Sequence, residues 1–198
     1  GYLPRETPYG EHETNSKKGP HFSTDPLFRL HFSFVSPYAS LLEVGAEETV
    51  MSMVKKQFSS FTSECWELMC RKYVSGRGID GVIYNKASRW WGKIFTDNDK
   101  DGRMVELDVV AESLDRKHIL VGECKWTGNE DAAALTARLQ AIIPHLPFLK
   151  KAQAVHVALF TKVPPKIAGA ARGFLPDDVL NYPLFDPRPF LYLCVVDN

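Results

Sequence analysis

The chain has no excess of charge of either sign: 24 lysines and arginines balance 24 aspartates and glutamates over 198 residues. No overall basic field advertises nucleic acid, so a nucleic-acid reader would have to concentrate its cations locally. Cysteine is scarce. Cys65, Cys70, Cys124 and Cys194 form no C-x-x-C pair and sit inside apolar segments, which reads as small buried hydrophobes in a reducing cytosol rather than zinc ligands or disulfides. The longest apolar runs fall far short of the roughly 18–20 residues of a spanning helix, and no signal peptide precedes the domain. The expectation is a cytoplasmic protein with no membrane partner. The G-x-x-x-x-G-K-[ST], H-E-x-x-H and G-x-S-x-G patterns are all missing, which removes P-loop ATP hydrolysis, zincin chemistry and a serine-hydrolase elbow. No repeat or low-complexity tract is present.

What remains is one good core plus an appendage. Residues 1–24 read as a β-hairpin arm with a charged, turn-rich tip from Gly10 to Gly19. Residues 25–58 read as a helical connector. Asp25-Pro26 opens a helix from Leu27 to about Phe34 whose apolar residues run nearly all round, and such a helix belongs in a core. A polar-faced helix, Glu47 to Phe58, follows. Residues 59–198 read as the main domain: a helix from Ser59 to Val74, strand pieces at Val82–Tyr84 and Ser88–Trp91, and strands at about 104–112 and 118–126. A helix from about Asp131 to Leu146, a strand at about 153–162 and a last strand at about 189–196 complete it. That order is an α/β sandwich. The chain opens on Gly1 in the middle of a strand-like stretch, so we expect it to be cut from something larger.

The chemistry concentrates in two strands. Along Met104–Glu112, alternation puts Val105, Leu107, Val109 and Ala111 on one face and Glu106, Asp108 and Val110 on the other. In the next strand Ile119, Val121, Glu123 and Lys125 share a face. A turn centred on Asp115-Arg116 pairs Leu114 with Lys117, and counting outward sets Asp108 across from Glu123, with Cβ atoms about 4.5–5.5 Å apart. Two carboxylates that close repel unless a proton or cation lies between them, and a hard divalent ion, Mg²⁺ or Mn²⁺, resolves the conflict. A slip of one residue would send them to opposite faces. A solvated pair with a salt-bridged lysine fits the same spacing, so both readings stand at this point.

The wider series is more specific. It comprises Cys65-Trp66-Glu67-Leu68-Met69-Cys70-Arg71-Lys72-Tyr73, Ser88-Arg89-Trp90-Trp91-Gly92, Glu106-Leu107-Asp108-Val109-Val110-Ala111 and Gly122-Glu123-Cys124-Lys125-Trp126. It resembles the C-terminal domain of unknown function carried by prokaryotic DEXX-box-type (archaeal-type) ATPases, which itself resembles the PD-(D/E)XK nucleases. Phe22 to Val35 is similar to what precedes that domain, where the hairpin would be the wing of a winged-helix module. Leu107 stands where the superfamily's name has proline. The resemblance implies a restriction-endonuclease-like core, a mixed sheet flanked by helices.

It also implies roles. Asp108, Glu123 and the backbone carbonyl of Cys124 would hold the ion, Glu67 would join through water or hold a second ion, and Lys125 would orient and help activate the attacking water and stabilise charge on the phosphate. Gln140 falls where some members of the superfamily place a supporting polar residue, although a solvent-facing glutamine is the simpler reading. Arg89 beside Trp90 and Trp91, and Lys17 and Lys18 on the hairpin tip, are candidate nucleic-acid contacts. For the tryptophans packing is the simpler reading, and for the lysines a solvated loop is as good. Two functions compete. One is a Mg²⁺-dependent nuclease, on DNA in preference to RNA, serving a fused or associated P-loop ATPase absent from this chain. The other is a non-catalytic nuclease-fold module that binds nucleic acid or protein for that ATPase.

Overall fold

Two helices press on opposite faces of one sheet, and the sequence of each shows why. The computed structural model describes residues 6–11, 25–96, 99–128, 130–164 and 171–181. Most of the hairpin arm, Lys17 and Lys18, Cys194 and the strand expected at 189–196 lie outside them. The helices are α1 (Pro26–Leu30), α2 (Ala39–Glu43), α3 (Glu47–Val74), α4 (Ala132–Ile142) and α5 (Pro176–Leu180). A small hairpin of β1 (Gly78–Ile79) and β2 (Val82–Ile83) follows α3. The main sheet holds β3 (Ser88–Thr96), β4 (Asp99–Glu112), β5 (His118–Lys125), β6 (Ala154–Thr161) and β7 (Arg172–Phe174), in that spatial order. The pairs β3–β4 and β4–β5 are antiparallel; β5–β6 and β6–β7 are parallel, with α4 in the β5–β6 crossover. The result is a mixed five-stranded sheet flanked by helices.

On the α3 face, Trp66, Cys70 and Val74 pack against Val109, Ala111, Leu120, Cys124 and Phe160. On the α4 face, Leu139 and Ile142 pack against Leu107, Val110, Ile119, Val121 and Leu159, joined by Trp90. β5 alternates cleanly between the two, as its period-2 pattern predicts. β4 does not. Ser88 pairs with Val110 while Trp90 pairs with Leu107, so two residues of β3 span three of β4. The bulge lets Leu107 and Val110 face α4 while Val109 and Ala111 face α3. The single apolar face expected for Val105, Leu107, Val109 and Ala111 is therefore wrong beyond Leu107. An extra residue resets the alternation, and it does so at Asp108.

Two further expectations need correction. Glu47–Phe58 and Ser59–Val74 are one helix of 28 residues, about 42 Å long. The hydroxyls of Thr62 and Ser63 donate to the Phe58 and Ser59 carbonyls, so the serine-rich stretch stays in the helix instead of breaking it. The helix after Asp25 is correctly capped, its carboxylate accepting from the Leu27 and Phe28 amides at 2.8 and 3.3 Å. Yet it is not core: Leu27 is 71% and Phe32 64% exposed. After Leu30 the backbone widens into a π turn, His31–Val35, and only Phe34 is buried there, its ring against Phe58 and Phe61. β7 and α5, which are short and carry little periodicity, went unforeseen.

No helix among the described residues is long and apolar enough to cross a membrane. Cys70 and Cys124 are buried free thiols, as expected, and Cys65 is half-buried.

A Cβ on Gly122 would meet Phe160 Cε2 and Val109 Cβ, each at 3.0 Å. Phe160 is stacked on Phe174 and Val109 is set by the bulge, so neither can retreat. Gly122→Ala should cost about 1–3 kcal/mol in denaturant unfolding. Gly128→Ala, with nothing within 4 Å of its Cβ, is the matched control and should be close to neutral.

Candidate metal and catalytic centre

The β5 strand enters the site with Glu123 and Lys125 on one face and Cys124 on the other. Glu123 points to the α4 side, where its side chain is only 4% exposed. A charge buried that deeply requires partners. Its Oε1 accepts from Lys125 Nζ and from Arg138 Nη1, both at 2.8 Å. Its Oε2 is buried and finds no hydrogen-bond partner among the described residues.

The β4 strand supplies the second carboxylate. Val109 pairs with Gly122, which is the register that the turn at Asp115-Arg116 predicts; Asp108, next along at the bulge, lies beyond the last paired rung and feels the Glu123 charge. Arg116 adopts the left-handed conformation that this turn requires, φ 59°. Asp108 Oδ2 accepts from the Cys124 amide at 2.8 Å, which ties the bulged strand to β5 where the carboxylates meet. Helix α3 completes the group. Arg71 Nη1 donates to the Asp108 carbonyl at 2.9 Å and lies 3.6 Å from Glu67, one turn earlier on the same helix. Arg71 also approaches Glu6 at 3.5 Å, and Glu6 bonds Arg89, which pairs in turn with Glu106.

The titration behaviour follows from this crowding. Burial pushes the Asp108 carboxyl above its ordinary pKa and the Glu123 charge adds to the rise, against the Cys124 amide, Lys125 and Arg89. Burial likewise raises Glu67, with Asp108 adding and Arg71 and Arg89 opposing. For Lys125 burial acts downward, but the hydrogen bond and charge of Glu123 outweigh it and the net shift is upward. The Cys124 thiol is held well above the usual range by burial and by Cys70 beside it. Lys125 is therefore an ammonium, and the Cys124 thiol is inert packing.

The candidates read from sequence divide clearly. Glu67, Asp108, Glu123, Cys124 and Lys125 come together. Arg89 is committed to Glu6 and Glu106 instead of projecting as a free contact, and Trp90 is core, packed against Phe148. Gln140 is exposed and lines a cavity with His156 and Arg172; the α4 side chain that reaches Glu123 is Arg138, two residues earlier. Arg71 and Arg138 were missed. The Glu67–Arg71 spacing of four on a helix was a legible signal. Arg138 flanks the Leu135–Leu139–Ile142 stripe, and nothing local marks it as a partner of a residue on β5.

Among the described residues no group of three or more His, Cys, Asp or Glu side chains is arranged to hold a metal. Magnesium does not need such a cage: one or two carboxylates with water and phosphate oxygens serve it. The donor set here, the Asp108 and Glu123 carboxylates, the latter with an orphaned buried oxygen, and the Cys124 carbonyl, fits that requirement.

Fold and centre together define an α/β protein with a charged acid–base cluster at a bulge where two antiparallel strands meet a helix. The chain belongs to the DUF234 family, archaeal and bacterial proteins of unknown function, whose sequence pattern matches residues 31–136. That span includes Glu67, Asp108, Glu123 and Lys125 and stops short of Arg138. No curated protein matches the chain.

An acid whose pKa is raised on folding binds its proton more tightly in the folded state. Stability then falls as pH rises from the ordinary carboxylate pKa through the raised one. Asp108→Asn removes that penalty. In thermal melts it should be more stable than wild type at pH 7, with the gap closing as pH drops below the raised pKa. A divalent ion that binds only the folded state should raise the wild-type Tm and leave Asp108→Asn nearly unmoved.

Proposed function

We propose that this centre is the active site of a PD-(D/E)XK-type, Mg²⁺- or Mn²⁺-dependent nuclease that hydrolyses nucleic-acid phosphodiesters. The observation that carries the reading is Glu123 Oε2, a buried carboxylate oxygen with no partner among the described residues, with the half-buried Asp108 carboxylate near it. Asp108, Glu123 and the Cys124 carbonyl would hold the ion, with Glu67 in reach through water. A bound divalent ion there would supply Lewis acidity at the phosphate and lower the pKa of a water. Lys125 carries its charge 2.8 Å from Glu123 Oε1. Its part is to orient the nucleophile and to offset charge growing on the phosphate oxygens. Arg71, bonded to the Asp108 carbonyl, keeps the bulge in place and so positions the first carboxylate. DNA is the preferred substrate class, and an associated P-loop ATPase the expected partner.

A second reading has its own support. Glu123 already holds two cations, so the cluster is a stable acid–base network without any ion. On that reading the domain is a nuclease-fold module that binds nucleic acid or protein without cutting.

Titration calorimetry with Mg²⁺ and Mn²⁺, paired with cleavage of plasmid and single-stranded DNA, separates the two. Asp108→Ala and Glu123→Gln should abolish ion binding. Lys125→Ala should cut the cleavage rate by about 10²–10³ while ion binding is retained. Indistinguishable wild type and Asp108→Ala in both assays would leave the binding module as the surviving reading.

A further inference from the structure

Glu123 is unevenly served. Oε1 carries both Lys125 and Arg138 at 2.8 Å, while Oε2 has no partner among the described residues. One carboxylate charge thus meets two cations, and the two differ in tether and exposure. Lys125 is tethered two residues along the same strand and 33% exposed, whereas the Arg138 side chain comes from α4 and is 48% exposed. The carboxylate cannot leave its pocket; the guanidinium can swing into solvent.

The charge tally points the same way. Glu6, Glu67, Glu106, Asp108 and Glu123 face Arg71, Arg89, Lys125 and Arg138: five carboxylates against four cations. A divalent ion at Asp108 and Glu123 would turn a small local negative excess positive, and Arg138 would then share Glu123 with a like charge. A guanidinium released at that point is suited to a phosphate group, whose oxygens it can bind in a fork.

We infer that Arg138 is an exchangeable counter-ion. It neutralises Glu123 while the ion is absent, yields the carboxylate to the ion, and then binds a phosphate of the nucleic-acid backbone. The inference rests on the metal-dependent reading above and adds a residue and an order of events to it. Arg138 is thereby a competitor of the metal and a ligand of the substrate, two roles that respond oppositely to its removal.

The test uses the whole chain. Mn²⁺ affinity is measured by titration calorimetry for wild type, Arg138→Gln, Arg138→Met and Arg138→Lys, with Glu123→Gln as the control that should bind no ion. Affinity for a fluorescent DNA oligonucleotide is measured by anisotropy in Ca²⁺. Both neutral variants should bind Mn²⁺ about three- to tenfold tighter and the oligonucleotide severalfold weaker. Arg138→Lys should return both values toward wild type. A residue that merely props Glu123 would lose both affinities together. Unchanged or weaker Mn²⁺ binding in the neutral variants overturns the inference while sparing the metal site. Wild type that binds no more Mn²⁺ than Glu123→Gln overturns the site itself, and the inference with it. Should Arg138→Gln fail to fold in a thermal melt, Arg138→Met, which keeps an apolar stem on the helix, carries the same reading.

Discussion

A carboxylate shut between a sheet and a helix has to be answered by charge, and Glu123 imposes that demand on everything around it. Desolvating an anion costs several kcal/mol unless cations and hydrogen bonds replace the lost water. The answer comes from two directions: Lys125, two residues along the same strand, and Arg138, from the helix that covers that face. Both reach the same oxygen because β5 and α4 are consecutive elements packed against one another. The strands must lie close enough for Asp108 to meet the Cys124 amide, and Gly122 makes this possible. A side chain there would push Val109 and Phe160 away.

The bulge in β4 is the second half of that arrangement. A regular β4 would carry Leu107 and Val109 to the same face, but the extra residue sends them to opposite layers of the core. Asp108 sits where the alternation resets, its carbonyl held by Arg71 from the α3 side and its carboxylate held by β5. Bulges collect near functional sites because they re-aim a side chain without breaking the sheet. Here the local irregularity is fastened by two hydrogen bonds from different elements. The fold alone would host many activities, so any functional reading rests on the crowded carboxylates, which are costly to keep buried.

The same packing logic explains what the outer parts of the molecule do. The C-terminal half of α3 covers the sheet with Trp66, Cys70 and Val74, whereas in its first half only Val50 is buried. The segment from Pro26 to Glu43 touches the middle of α3, through Phe34 against Phe58 and Phe61 and through the Arg29–Glu64 pair, leaving Leu27, Phe28 and Phe32 exposed. An apolar composition says that a segment can be buried. It does not say that a burying surface exists.

Some of this protein was readable from residues alone, because the relevant interactions are local. Period-2 alternation gave β5 its two faces, the Asp115-Arg116 turn gave the register of β4 on β5, and the Asp25-Pro26 pair gave the start of α1. These depend on backbone geometry within a few residues. Tertiary structure decided the rest. No local signal distinguishes a bulged β4 from a regular one, since the extra residue is defined only by its pairing with β3. Nothing in the run from Glu47 to Val74 says whether two helices or one will form until a core accepts its second half. The ties from Arg138 to Glu123 and from Arg71 to Asp108 join elements distant in sequence. Buried charge is neutralised by whatever side chain the fold brings within reach, and that is a property of packing.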